Sequence, residues 1–565
     1  MTAIGIDFGT TNSVVAVQGP RGVETLPIDE PPADWAELGF DKVLPTVFAV
    51  GPSRQPVFGW AAKQMVQDKI EAVKRLFRDE ETVNVGGQNF LVEEIATLLF
   101  AHMKKKAQQS GVDPRKCVVT VPANSRGLAR YRTKLTAAMA GMEVLALINE
   151  PTAAAMAHSA QKADDQRLMV VDWGGGTLDV TILQAADGVF IEQASKGIQQ
   201  LGGLDFDARF ARTILDALPE SREWSSAENA EFRLAVERAK VLLSSQEFTN
   251  IPLPGGGFRR VDRREFESSA QSLVERVRHP IEQCLQDIAA SPSEIDAVIL
   301  VGGTCNIPLI RRFVSDIMGQ EPASDVNPMT AVAEGAAIAA AIMSGELDND
   351  FFVGTEHALG TFVHDEMQNM HFSTIIPRNH KLPARASNEY LPLYDEAESI
   401  LVKVVEGDPE LPVEHEDNVV LREFEVSLPP APTKEQKVVT MTYEYDLDGI
   451  LHVTVVHKGT GTLLIEDAVS FGVGADKRDL VEMAKRVRST IESDEVHNHS
   501  AGTPVDPETA ALLQRARAKV LPFLEGAEAA HIKALADRVE TTTGADQAAA
   551  RRELEDALLA YSYLF

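Results

Sequence analysis

Residues 170–180 read VVDWGGGTLDV. A β-branched run ends in a carboxylate, Asp172, and the chain turns through Gly174, Gly175 and Gly176 to Thr177 and a second acid, Asp179. Glycines let a backbone approach an anion closely, and turn amides with a hydroxyl can donate to its oxygens. A carboxylate at a strand end suits Mg²⁺ held largely through water. The same pattern recurs near the N-terminus, where residues 4–13 read IGIDFGTTNS and supply Asp7, Gly9, Thr10, Thr11 and Asn12. One such turn alone is more often just an ordinary hairpin. Two copies suggest an internal duplication whose halves face one nucleotide and clamp its phosphates. No GxxxxGK[ST] loop competes with them, and GVGADK at 472–477 fails as a GxGxxG turn at its last glycine.

The rest of the chain arranges itself around this pair. A length of 565 residues is enough for about three or four domains at 100–200 residues each. Up to residue 343 short β-branched runs alternate with helical periodicity, the mark of an α/β domain. Strands are expected at 3–7, 117–121, 168–172 and 297–301, and helices at 92–109, 230–244 and 331–342. An acidic segment, SGELDNDFFV at 344–353, reads as a linker. From 354 to 472 the pattern turns to strands (399–405, 438–445, 450–457), with DLDG at 446–449 as a hairpin signal. Residues 473–565 are helical again, with Asp506-Pro507 as an N-cap and first-turn pair and an apolar stripe at Leu512, Leu513, Ala516 and Val520. DEVHNHSAGTP at 494–504 reads as a break, and its His497 and His499 as solvated residues.

Composition narrows the function. Asp plus Glu number 84 against 54 Lys plus Arg, a net charge of −30. Nucleic acid and anionic membranes need a basic footprint and are excluded as default partners. A small anion needs only a local site. Cys117, Cys284 and Cys305 have no metal-ligand spacing and form no disulfide framework, which fits a reducing, cytoplasmic setting. No basic-then-apolar leader is expected ahead of the first strand, and the small-apolar stretch 331–343 is too short to span a bilayer.

The paired loops resemble those of the actin, sugar-kinase and heat-shock ATPase superfamily. Further segments single out the 70-kDa heat-shock protein (DnaK-type) chaperones: AVKRL at 72–76, VVTVPA at 118–123, INEPTAAA at 148–155, LGGLDFD at 201–207, ERAKVLLSS at 237–245, VGGTCNIP at 301–308 and DVNPMTAVAEGAA at 325–337. YEYDLDGILHV at 443–453 extends the likeness into the β-rich part. The chain is similar to a shortened, divergent member of that family. The resemblance implies an actin-like α/β ATPase domain of duplicated ribonuclease-H-like halves (1–343), a linker (344–353), an antiparallel β-sandwich that binds peptides (354–472) and a short α-helical lid (473–565).

The resemblance also implies roles. Asp7 and Asp172 would order Mg²⁺, with K⁺ as an option. Gly9, Thr10, Thr11, Asn12 and Gly174, Gly175, Gly176 and Thr177 would cradle the phosphates of ATP or ADP. Lys74 would sit beside the γ-phosphate and the attacking water, while Glu150, Asp179 and Thr177 orient water, metal and phosphate. For Glu150 a plain helix-terminal acid, favoured by the dipole, is the competing reading. Glu237, Lys240 and Ser244 would hold the ribose and adenine edge, and Gly302, Gly303, Thr304 and Asn306 would close over the adenosine. Phe372 and Leu393 would lie over a bound peptide with Ile400 in the pocket wall, a role that competes with simple core packing. Pro122, Arg130 and the linker residues Phe351, Phe352 and Val353 would relay nucleotide state to the peptide clamp.

Unfolded polypeptide clients, a J-domain co-chaperone and a nucleotide-exchange factor follow as implied partners. Leu145 and Ala146 precede INEP where relatives often carry basic residues, so less charge awaits an acidic co-chaperone motif. The alternative function is a non-catalytic nucleotide-binding co-chaperone, an exchange factor or holdase, of the same fold. The family flanks adenine with arginines where this chain has Val241 and Asn306. Each lost cation–π stack is worth about 0.5–2 kcal/mol, so Asn306→Arg is expected to tighten adenine-nucleotide binding in calorimetry. An unchanged affinity contradicts that reading.

Overall fold

The structure, a computed structural model, describes residues 3–52, 54–77, 82–123, 125, 127–159, 165–186, 189–218, 224–254, 256–347, 355, 357–365, 367–378, 380–381, 383–415, 418–445, 451–469, 485, 487, 512–513, 515–524, 526–541 and 545–561. The linker residues Phe351, Phe352 and Val353, the turn 446–449, the GVGADK segment and the break with His497 and His499 lie outside the described residues.

Two sheets in the first part of the chain share one plan. In the first, β1 (Ile4–Phe8), β2 (Asn12–Gly19) and β3 (Gly22–Thr25) run antiparallel to their neighbours, and β4 (Lys116–Val121) and β5 (Glu143–Asn149) extend the sheet in parallel from β1, giving the order β5-β4-β1-β2-β3. In the second, β6 (Gln166–Trp173), β7 (Leu178–Ala186) and β8 (Val189–Ile198) form the same meander, and β9 (Ala297–Val301) pairs in parallel with β6, giving β8-β7-β6-β9. Strands buried on both faces read as continuous apolar runs, which is why the expected strands fall within two residues of the observed ones. The helix expected at 92–109 is Val92–Gln109, and that at 331–342 is Ala331–Met343.

Each sheet has its own core. Phe8 packs against Phe77 and Phe100 (centroids 6.2 and 4.7 Å) in the first. Trp173 packs edge-on to Phe206 at 5.5 Å in the second and donates its indole N–H to Leu201 O at 2.9 Å. Helix Ala331–Met343 joins them, lying against β1, β2 and helix Glu150–Ser159. Its small residues permit this: a Cβ on Gly335 would fall 1.7 Å from Ala153 O, and one on Gly5 of β1 would fall 2.1 Å from Ala337 N.

The β-rich part is a sandwich. One sheet has the order β11-β10-β13-β14, from β10 (Ala358–His364), β11 (Met370–Ile376), β13 (Ser399–Gly407) and β14 (Val419–Ser427). The other has the order β12-β15-β16-β17, from β12 (Ala384–Tyr390), β15 (Val439–Tyr445), β16 (Leu451–His457) and β17 (Thr462–Val469). Both inner faces feed one core, and the hydroxyl of Tyr443 donates to Gly360 O at 2.8 Å across it. Towards the C-terminus, Asp506 and Pro507 lie outside the described residues. Among the described residues Leu512 and Leu513 are helical, Arg515–Val520 is a widened helical turn and Leu521–Phe523 a tightened one, where Pro522 removes a backbone donor. Helices Gly526–Thr541 and Ala545–Leu559 follow, and Leu512, Ala516 and Val520 pack into their shared core.

In an isolated helix Gly335→Ala would add about 1 kcal/mol of helix propensity. Here the close approach at Ala153 reverses the sign: overpacking of this kind costs about 1–3 kcal/mol, and a lowered melting temperature is expected. A raised one would show that the contact with helix Glu150–Ser159 relaxes freely.

Candidate functional site

Both glycine-threonine turns are hairpin tips. In β1–β2, Asp7 stands opposite Val14 and Phe8 opposite Ser13, which leaves residues 9–12 at the turn. In β6–β7, Asp172 stands opposite Asp179 and Trp173 opposite Leu178. Residues 174–177 are that tip, closed by the Gly174 N–H donating to Thr177 O at 3.2 Å. The hairpin reading and the phosphate-loop reading are therefore one geometry. The tips of the two sheets face each other: a Cβ on Gly175 would lie 2.3 Å from the Thr11 side chain, and one on Gly176 would lie 3.0 Å from Thr10 Cγ2. Thr304 braces the second tip by donating its hydroxyl to Gly174 O at 2.8 Å.

Acids gather behind the tips. Asp7 is half-buried, and desolvation of its carboxyl first, then the Glu150 carboxylate, pushes its pKa to about 7; Lys74 and the Thr120 hydroxyl, 3.2 Å from Oδ1, pull the other way. Asp172 is raised well above the usual carboxylate range by burial, then by Glu150, Asp179 and Asp7. Lys74 Nζ donates to Glu150 Oε1 at 2.6 Å, with both side chains nearly buried. Glu150 is also the first residue of helix Glu150–Ser159, so the dipole reading and the site reading both hold. Such a concentration of desolvated carboxylates is costly without a cation. Hard oxygen donors at the ends of adjacent hairpins fit a divalent ion held mainly through water; no group of three or more His, Cys, Asp or Glu in direct ligand geometry occurs among the described residues. Asn12 Oδ1 is buried with no hydrogen-bond partner among them.

At the far end of the cleft the structure adds partners that the sequence pattern did not give. Glu237 accepts from Lys63 at 2.6 Å; burial raises its pKa, but Lys63 and Lys240 outweigh this and hold it below the usual value. Lys240 donates to Asp207 at 2.7 Å and to Gly203 O at 3.1 Å, and burial pushes Asp207 to about 6. Ser244 donates back to Lys240 O at 3.5 Å, and Asn306, which is exposed, donates to Gly303 O at 3.3 Å. Gly302 ends the β9 run and enters the short turn Gly303–Asn306. Lys63 sits 5.4 and 5.5 Å from the rings of Trp35 and Trp60, themselves 5.0 Å apart, and Arg238 beside Glu237 pairs with Asp34 at 2.8 Å.

The residues assigned to peptide contact separate. Phe372 is 6% exposed and packs with Ala358, Val405 and Phe362, so it offers little surface; Leu393 is 42% exposed, and Ile400 lies half-buried beside the sandwich core. Pro122 follows β4 directly, and Arg130 Nη1 donates to Asn149 Oδ1 at 3.2 Å. Asn149 in turn donates to the buried Glu192 at 3.2 Å, and Glu192 accepts from Arg378 of the sandwich. Burial raises the Glu192 pKa, with Arg378 opposing. Tyr131 packs against the sandwich core, and Arg115 pairs with Asp556 of helix Ala545–Leu559 at 2.9 Å.

Facing hairpin tips with a cluster of carboxylates behind them make a two-lobed site. The chain belongs to the Hsp70 family, whose model, described as Hsp70 protein, matches residues 59–562. It is similar to the chaperone protein DnaK of Thermotoga neapolitana, 36% identical over 485 residues that cover 81% of this chain and 78% of the relative. The chaperone protein DnaK of Thermotoga petrophila is 35% identical over 526 residues, covering 86% and 85%. That of Thermosipho africanus is 34% identical over 484 residues, covering 81% and 78%.

A carboxyl whose folded pKa lies above its unfolded value favours the fold at low pH and loses that contribution as pH rises through the folded pKa. For Asp7 this window runs from 3.8 to about 7. A divalent cation binds the ionised form and reverses the loss. The rise in melting temperature produced by millimolar Mg²⁺ is therefore expected to be larger at pH 8 than at pH 6 in differential scanning fluorimetry. An equal rise at both places the metal elsewhere.

Proposed function

We propose that this chain is an ATP-driven peptide clamp in which 1–343 is a duplicated, actin-like ATPase domain, 344–353 the linker, 354–472 a peptide-binding sandwich and 473–565 a helical lid. As a member of its family it is an Hsp70-type chaperone and an ATPase that binds nucleotide with a divalent metal. The observation that carries the finer reading is the facing of the two hairpin tips over Asp7 and Asp172.

Phosphoryl transfer to water depends mostly on positioning and charge. Mg²⁺, when bound, would offset charge on the β- and γ-phosphates. Asp7 and Asp172 would hold its water shell, with K⁺ as a further counter-ion. Thr10, Thr11, Asn12, Gly9 and the amides of 174–177 would bind and orient the phosphates, and Thr177 would reach the γ-phosphate. Glu150 aims the Lys74 ammonium, and Asp179, opposite Asp172 in the hairpin, would orient the attacking water. An aimed donor of this kind is typically worth about 3–4 kcal/mol in the transition state. At the adenosine end, Glu237, Lys240 and Ser244 would meet the sugar, with Gly302, Gly303, Thr304 and Asn306 closing over the base.

In the sandwich, Leu391, Leu393, Tyr394 and Leu401 are all exposed apolar or aromatic side chains. They support capture of extended, apolar client segments, for which main-chain pairing and one apolar pocket would give roughly micromolar affinity. The hydrogen-bonded run Arg378–Glu192–Asn149 ends next to Glu150, which supports coupling of clamp and nucleotide through Arg130 and Pro122 in addition to Phe351, Phe352 and Val353. A tenfold change in peptide affinity needs only about 1.4 kcal/mol. A J-domain co-chaperone and an exchange factor complete the proposed cycle, in the cytoplasm; no helix among the described residues is long and apolar enough to cross a membrane.

Release of a fluorescent apolar peptide on adding ATP, measured beside steady-state hydrolysis, tests the reading. ATP is expected to speed release, and Lys74→Ala to abolish turnover while leaving nucleotide bound. Release without hydrolysis in the wild type would instead favour the non-catalytic co-chaperone.

A further inference from the structure

One side chain at the phosphate end has no part in the scheme above. Arg75 follows Lys74 on the one-turn helix Val73–Leu76, and its Nη2 donates to Gly176 O at 2.6 Å. The bond crosses from the first sheet's lobe to the second hairpin tip. It is tightly fitted: a Cβ on Gly176 would lie 2.7 Å from Arg75 Nε. The helix is entered through Ala72, a non-glycine residue at φ 56° and ψ 40°. That left-handed conformation is unfavourable for a residue with a Cβ and persists only where the surroundings over-determine it. It aims two successive side chains at different targets, Lys74 at Glu150 and Arg75 at the carbonyl of the opposite loop.

We propose that Arg75 is a positioning residue for hydrolysis: it holds the second phosphate loop in register with Lys74. A peptide unit is planar, so a fixed Gly176 carbonyl also fixes the Thr177 amide that shares its plane. The donor is a guanidinium, always charged and directional, and the acceptor is a main-chain oxygen, present whichever side chain stands at that position. Lys74 and Arg75 share one short helix, so any drift of the second tip away from Arg75 also opens the distance from Lys74 to that tip. Misplacement of reacting groups by about 1 Å can cost on the order of 100-fold in rate. The role is therefore expected in the chemical step and not in holding the nucleotide. This inference rests on the ATPase assignment and on Lys74 and Thr177 acting at the γ-phosphate.

Single-turnover hydrolysis of ATP by the full-length protein separates the possibilities. Arg75→Ala is expected to slow the chemical step about 10- to 100-fold, with ADP affinity and melting temperature close to wild type, and Arg75→Lys to recover part of the rate. If Arg75→Ala does not fold, Arg75→Gln keeps a donor of reduced reach without the charge and is expected to fall between the two. Gly176→Ala supplies the double-mutant cycle: its loss of rate is expected to be much smaller in the Arg75→Ala background than in the wild type. An unchanged single-turnover rate, a loss of ADP affinity matching the loss of rate, or full additivity with Gly176→Ala each overturns the proposal. Failure of the underlying assignment shows differently, as a wild-type protein whose hydrolysis is indifferent to Lys74→Ala.

Discussion

Burying like charges together is the constraint around which this molecule is organised. Asp7 and Asp172 sit at the ends of equivalent strands in two sheets, half-buried and raised in pKa by desolvation and by nearby carboxylates. Such an arrangement persists only if the rest of the structure holds it. The holding elements are visible: a Lys74–Glu150 pair nearly closed to water, glycines that let the hairpin tips meet, and an alanine-rich helix, Ala331–Met343, packed against β1 and against helix Glu150–Ser159. On the proposed reading, what is unfavourable for the empty fold would become favourable when a divalent cation and phosphates enter. Stability is spent at one point so that a ligand can restore it.

Much of this was legible in the sequence because it depends on local rules. Strands buried on both faces announce themselves as β-branched runs, and the acid-glycine-threonine turns repeat. The ion pairs were less legible. Lys63 and Asp207 were missed as partners of Glu237 and Lys240, because a lysine on a short helix carries no periodic signature and its partner is remote in the chain. The same holds for Arg75, hidden beside a more conspicuous lysine. At the C-terminus the apolar stripe marks packing, since Leu512, Ala516 and Val520 enter the core of the last two helices, but it carries no sign that the helical run widens at Arg515–Val520 and tightens at Leu521–Phe523. In the sandwich, alternation identified the strands without saying which of their residues face a peptide, and Phe372 proved to be a buried one.

The contacts between parts of the chain give coupling a physical form. Glu192 is buried and ionisable, and it is satisfied from two sides: by Asn149, the neighbour of Glu150, and by Arg378 of the sandwich. Withdrawal of Arg378 would leave a buried carboxylate short of its counter-charge, an expensive state. Through Glu192 the sandwich is thereby hydrogen-bonded to Asn149, the residue before Glu150. The net charge of −30 is compatible with an anionic ligand for the same reason that the acids are tolerable. On the proposed reading, affinity would come from loop amides, hydroxyls, a metal and single aimed cations, not from a basic surface.

The central claim is that both hairpin tips close on one nucleotide. Hydrogen–deuterium exchange of the amides at 9–12 and 174–177, followed while ADP is titrated in the presence of Mg²⁺, tests it most directly. The account predicts that both loops become protected together, with the same midpoint, at one nucleotide per chain. Protection of one loop alone, or of the two loops at different midpoints, would contradict it.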